Sequence, residues 1–131
     1  MSFEGVRPVL HTPFIDAPGQ PIAEDELATL AERMLDEGAD GLVVLGLASE
    51  AWALTEAERD RVVAVAAEAC RGRAPLVVGL EGTTAVAVDR ARRAAQAGAA
   101  GLMALPPARA AAREQLIDHF GALAAAGGLP G

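Results

Sequence analysis

The chain has 131 residues, is 52% hydrophobic and 22% charged, and carries a formal net charge of −7 at pH 7. That is the balance of one compact globular domain, and the scattered basic residues exclude nucleic acid or an anionic membrane as the main partner. All 11 basic residues are arginine and there is no tyrosine, so no lysine Schiff base can form within this chain.

The opening, Met1 to Leu10, has no basic stretch ahead of a long apolar core, so no secretory leader is expected. Nor does any segment approach the run of about 20 apolar residues that a membrane helix needs. Val6 to Leu10 is instead the first of four short apolar runs rich in Val and Leu; the others are Gly41 to Leu45, Leu76 to Gly79 and Gly101 to Leu105. Being apolar on both faces, they read as strands of a parallel sheet covered on both sides. A first helix carries Leu27, Leu30, Ala31, Met34 and Leu35 on one stripe. Glu24, Asp25 and Glu26 lie in its first turn, where negative charge suits the helix dipole, and Gly38 ends it. After the second run comes a short loop, Leu47-Ala48-Ser49-Glu50. Thr55 and Glu58 then open a second helix at capping-box spacing, which buries Val62, Val63, Ala66 and Ala69. Cys70 closes that helix; a lone thiol suits a reducing cytosol, and an inert, buried role is expected of it. A third helix runs from Thr83 or Thr84 to Gln96, stops at Gly98 and turns a nearly all-alanine face to the sheet. The fourth spans Ala110 to Ala126, with Leu116, Ile117, Phe120 and Leu123 inward, and ends at Gly127-Gly128.

Strand and helix thus alternate with a period of about 30 to 35 residues, the length of a βαβ repeat. No linker interrupts residues 1–131, which read as one unit. The periodicity leaves two α/β architectures open. One is a small open sheet with helices on both faces. The other is a (βα)4 half of a TIM (β/α)8 barrel with parallel strands, whose full form takes about 250 residues. No G-x-G-x-x-G or G-x-x-x-x-G-K-[ST] element supports nucleotide binding. No His, Cys, Asp and Glu spacing matches a metal set, and no cofactor is expected. In both architectures ligands sit beyond the carboxyl ends of the strands. The stretch Ala39 to Arg59, where an apolar run stops at Gly46 ahead of a loop and a capped helix, is therefore the place to look for a site.

Val6-Arg7-Pro8-Val9-Leu10-His11-Thr12-Pro13-Phe14 resembles the first strand and loop of the dihydrodipicolinate synthase / N-acetylneuraminate lyase family. Gly38-Ala39-Asp40-Gly41-Leu42-Val43-Val44-Leu45-Gly46, followed by Glu50, Leu54-Thr55 and Glu58-Arg59, is similar to its second strand and signature loop. Leu76-Val77-Val78-Gly79, and Ala97-Gly98-Ala99 through Leu105-Pro106-Pro107, resemble the third and fourth strands, with Leu116, His119 and Phe120 on the fourth helix. The resemblance covers nearly the whole chain but only the N-terminal half of a family member. It implies a barrel that runs carbon–carbon lyase or aldolase chemistry on pyruvate-type keto acids. A lysine on the sixth strand forms a Schiff base, and a fifth-strand tyrosine, a loop hydroxyl and a second tyrosine relay protons. The family's Gly-Thr-Thr-Gly-Glu loop reads here as Gly46-Leu47-Ala48-Ser49-Glu50. Leu47 stands where the proton-relaying hydroxyl would be and Ala48 where the carboxylate-binding hydroxyl would be, although the Ala48 N–H could still bind a carboxylate. Ser49 replaces the second glycine and could return a hydroxyl to the site, and Glu50 matches. Ala108-Arg109 stands in place of a Tyr-Tyr pair, so Arg109 could meet an acidic substrate.

No catalytic residue is assigned on this basis, and the substrate-binding candidates are Gly46, Leu47, Ala48, Ser49, Glu50 and Arg109. Glu50 reads either as a general acid or base or, more plainly, as a carboxylate capping backbone N–H groups. His11 and Glu81 could face the strand ends, against plainer readings as a packing histidine and a solvated loop charge. His119 is expected in surface or packing duty, and Trp52 as an apolar anchor at the loop base. The leading expectation is a truncated, cytoplasmic member of the lyase family, inactive alone, with a small keto acid as substrate and a homo-oligomeric state. The alternative is a non-catalytic half-barrel that binds a small carboxylate or docks with a partner half-barrel. An independent flavodoxin-like domain is a third reading.

Overall fold

The computed structural model describes residues 4–109 and 112–129. Three parallel strands, β1 (Leu42–Val44), β2 (Leu76–Leu80) and β3 (Gly101–Ala104), lie in the order β1-β2-β3. Leu42 stands opposite Leu76 in one ladder, and Val77 opposite Gly101 in the other. Helices α1 (Glu24–Asp36), α2 (Glu56–Cys70), α3 (Thr84–Gln96) and α4 (Arg113–Gly127) pack around them. Every residue of β1 and β2 is buried, as expected for parallel strands covered on both faces.

The first expected strand is present only as a single rung. Residues 6–10 run parallel to β1 with Val9 opposite Val43, and the Leu10 N–H donates to the Val43 carbonyl at 2.8 Å. Continuing that ladder back towards Gly41 would need an N–H from Pro8, and proline has none. The run therefore serves as a ragged edge. Val6 is 71% and Val9 43% exposed.

Local chemistry accounts for the helices. Glu58 N–H donates to Thr55 Oγ1 at 3.2 Å while Thr55 N–H donates to Glu58 Oε2 at 2.8 Å, a complete capping box at the start of α2. Below it Arg59, Val62, Val63, Ala66 and Cys70 are buried, with Ala69 only half-buried. On α3 the buried residues are Ala87, Ala91 and Ala94, the small face expected there. The fourth helix begins at Arg113, and the expected start at Ala110 lies outside the described residues. Its inward face also differs: His119 and Leu123 are buried, while Ile117 is 58% and Phe120 41% exposed. Ile117 stands at the edge of the arc these four residues span, about 100° round the helix from Leu116, and Phe120 lines an open groove with Leu102, Met103 and Leu123. Among those residues, no helix is long and apolar enough to cross a membrane.

Candidate functional site

Beyond β1 the chain enters the loop singled out above. Leu45 sits at φ 55° and Glu50 at φ 53°, two non-glycine residues in the left-handed region, and between them Leu47–Ser49 makes one tight turn. Such conformations cost on the order of 1–3 kcal/mol each and survive where the surroundings over-determine them. One such constraint is close approach to β2. A Cβ on Gly79 would lie 2.0 Å from the Leu45 carbonyl oxygen, so only glycine lets the backbone of Leu45 settle there. Gly46 is less severely crowded, since a Cβ would meet the side-chain atom Val9 Cγ1 at 2.6 Å.

The remaining loop candidates divide sharply. Leu47 is 80% exposed, and Ala48 and Glu50 are also exposed. Ser49 is fully buried: its Oγ donates to the Leu10 carbonyl at 2.6 Å, and its own carbonyl accepts from Thr12 Oγ1 at 2.9 Å. Glu50 caps neither flanking turn through its side chain, so its carboxylate stands in solvent. The Ser49 N–H closes the turn on the Gly46 carbonyl at 3.0 Å, whereas among the described residues no backbone carbonyl outside the turn accepts from Leu47 or Ala48. The loop therefore offers a ligand two backbone N–H groups and an apolar side chain. Successive backbone N–H groups in a turn are a setting for anions.

Arg109 lies elsewhere. It is exposed on the rim of an open cleft of about 820 Å³ with Trp52, Glu81, Thr83, Thr84 and Gln115, a cleft that residues 46–50 do not line. Trp52, 76% exposed, stands on that rim rather than anchoring the loop base. His11 is exposed beside α1, in a hollow shared with Asp25 and Glu26. His119 is buried between α3 and α4, with Nδ1 2.9 Å from Thr84 Oγ1 and its ring edge-on to Phe120. Cys70 is buried, and desolvation pushes its thiol up, away from the reactive thiolate. Among the described residues, no group of three or more His, Cys, Asp or Glu is placed to hold a metal ion.

The residue that sequence reasoning missed is Arg59. Its side chain is 4% exposed, and Nη2 donates to the Ala51 carbonyl at 2.6 Å and to Glu81 Oε1 at 2.5 Å. Glu81 is thus tied to a buried cation. Arg90 adds a bond to the Glu81 carbonyl at 2.9 Å and, with Arg93, pairs with Glu56. The Arg90 hydrogen bond, then the nearby arginine charges, hold the Glu56 carboxyl below its usual range against the pull of desolvation. A signal for Arg59 was present: it falls on the inward stripe of α2, in register with Val62, Val63 and Ala66.

Comparison with known proteins bears on this geometry. A family model described as the dihydrodipicolinate synthetase family matches residues 2–131. The 4-hydroxy-tetrahydrodipicolinate synthase of Stenotrophomonas maltophilia (strain R551-3) is 40% identical over 134 residues, covering 99% of this chain and 44% of that relative. That of Phenylobacterium zucineum (strain HLK1) is 38% identical over 130 residues, covering 98% and 43%. The solved 4-hydroxy-tetrahydrodipicolinate synthase of Methylacidiphilum fumariolicum SolV superposes with a TM-score of 0.91 at 28% identity, covering 98% of this chain and 43% of that one. The chain therefore spans less than half the length of these relatives, and its fold is that of a (βα)4 half of a (β/α)8 barrel.

Proposed function

This chain belongs to the dihydrodipicolinate synthetase family, and from that membership we propose that it supplies the carboxylate-receiving half of a carbon–carbon lyase acting on a pyruvate-type keto acid. The observation that carries the reading is the loop at the end of β1, where, among the described residues, no backbone carbonyl outside the turn accepts from the N–H groups of Leu47 and Ala48. A keto-acid carboxylate needs such donors, and it needs them at the carboxyl end of a barrel strand. The covalent step needs more. An imine forms when an uncharged lysine amine attacks the keto carbon and water leaves, and the resulting cation accepts the electron pair of the breaking carbon–carbon bond. This chain contains no lysine to attack and no tyrosine to move protons. On this reading it binds the acid and cannot by itself carry out the cleavage, and Leu47 and Ala48 leave the loop without the hydroxyls of the family pattern.

Incubating the 131-residue chain with pyruvate and borohydride tests the proposal. Unchanged protein mass, together with pyruvate-dependent shifts of the Leu47 and Ala48 amides in NMR spectra, is the expected result. A borohydride-trapped adduct would overturn the non-covalent part, and silent loop amides would overturn the binding part.

A second reading, a half-barrel that docks on a partner half, is favoured by one observation. The open side of β3 carries an apolar groove lined by Leu102, Met103, Phe120, Leu123 and Leu129, with Met103 41% exposed. An unpaired strand edge beside such a groove is a template for another chain.

A further inference from the structure

The loop on which the proposed function depends is held in an unusual way. It is bracketed by Leu45 and Glu50, both at positive φ, and side-chain-bearing residues keep that conformation only when neighbouring contacts enforce it. Inside the bracket, Ser49 is 0% and Thr12 6% exposed. Ser49 Oγ donates to the Leu10 carbonyl at 2.6 Å, and Thr12 Oγ1 donates back to the Ser49 carbonyl at 2.9 Å. The two bonds join the same two segments in opposite directions, so neither segment can slide along the other without breaking both. Leu10 is in turn fixed to β1 through its N–H on the Val43 carbonyl. With its N–H on Gly46 and its hydroxyl proton on Leu10, Ser49 has no donor left for a ligand, and its burial keeps its oxygens from one.

We propose that Thr12 and Ser49 form a two-bond latch and act as positioning residues, holding the Leu47 and Ala48 N–H groups outward as the ligand-receiving edge of the loop. The inference rests on the carboxylate reading given above. Its physical basis is the absence of side-chain hydroxyls at Leu47 and Ala48. Backbone donors cannot re-aim by rotating a side-chain torsion, so their direction is set wholly by the loop dihedrals that the latch enforces. Ser49, the one hydroxyl in the loop turn, serves that turn and not the substrate.

The test uses NMR of the 131-residue chain with pyruvate as the probe, and compares Thr12→Val, Thr12→Ser and Ser49→Ala with the parent. Loss of one buried hydrogen bond weakens an equilibrium by roughly five- to tenfold. Thr12→Val should lower hydrogen-exchange protection of the Ser49 amide by about that factor while leaving Val78 in β2 unchanged. It should also weaken the pyruvate Kd, read on the Leu47 and Ala48 amides, by about fivefold. Thr12→Ser keeps the hydroxyl and should restore both readouts, which a simple packing role for the threonine methyl would not predict. Ser49→Ala should reproduce the loss; if that variant fails to fold, the Thr12 pair decides alone. Parent-like protection in Thr12→Val overturns the latch. Lost protection with undiminished pyruvate affinity overturns the positioning role. Loop amides of the parent that ignore pyruvate overturn the carboxylate reading and the positioning role with it, while the exchange data then report separately on whether the latch exists.

Discussion

Gly79 shows most directly how one residue shapes the site. It lies inside β2, one residue from its end, where a glycine is a poor choice by propensity, and its reason is the backbone of Leu45 crossing above it. Gly79→Ala would drive a methyl into a carbonyl oxygen that cannot swing aside as a side chain could. We expect a cost of about 3 kcal/mol, measured as a drop in unfolding free energy by urea titration. Chemical shifts should change in residues 45–50 as well as in β2; a neutral substitution would show that Leu45 does not need this gap. The sequence displayed the glycine as the end of an apolar run, but not its purpose. Contact between residues 45 and 79 is long-range and leaves no mark on local periodicity.

Among the elements, α2 is the organising one, since it opens beside the loop and carries both the capping box and the buried arginine. Thr55→Ala removes the side-chain acceptor for the Glu58 N–H and should cost about 1 kcal/mol of unfolding free energy. A change within experimental error would mean that tertiary packing, not the cap, starts the helix. Helices α2 and α3 are bound through Glu56 to Arg90 and Arg93. A carboxyl whose folded pKa lies below its unfolded value contributes stability above the unfolded value, here near 4.5, and loses it as pH falls through the lower, folded value. Glu56→Gln should therefore flatten the rise of the urea midpoint between acid and pH 5. Because Glu56 is about half exposed, added salt should shrink the difference. Identical pH profiles for the two proteins would remove the ion pair from the account of how these helices are joined. The capping box was legible because its spacing is local. The Glu56–Arg90 pair was not, since 34 residues separate its members.

At the scale of the whole molecule, the described residues form a half-barrel in which two edges stay unpaired among them: residues 6–10, interrupted by Pro8, and β3, with its groove between strand and α4. If docking through β3 holds, the chain should self-associate with rising concentration in light-scattering measurements. Met103→Lys, a charge on the exposed edge, should then shift it to monomer without lowering its thermal midpoint by more than a few degrees. A parent chain that stays monomeric at all concentrations would leave the groove without a partner among its own copies.

The sequence by itself determined the alternation of strand and helix, the capped start of α2, the alanine face of α3 and the family to which these motifs belong. It also settled that no lysine of this chain can form an imine. All of these rest on residue type, short spacing or order along the chain. Only the tertiary structure decided that Ser49 turns inward to Leu10 and Thr12, that Arg59 is buried against Glu81, that Arg109 borders a different cleft from the loop, that Ile117 faces outward and that Phe120 lines an open groove. Each depends on which distant segment arrives beside the residue. A hydroxyl, a guanidinium or an apolar ring has the same local pattern whether it meets solvent, substrate or a carbonyl some 40 residues away.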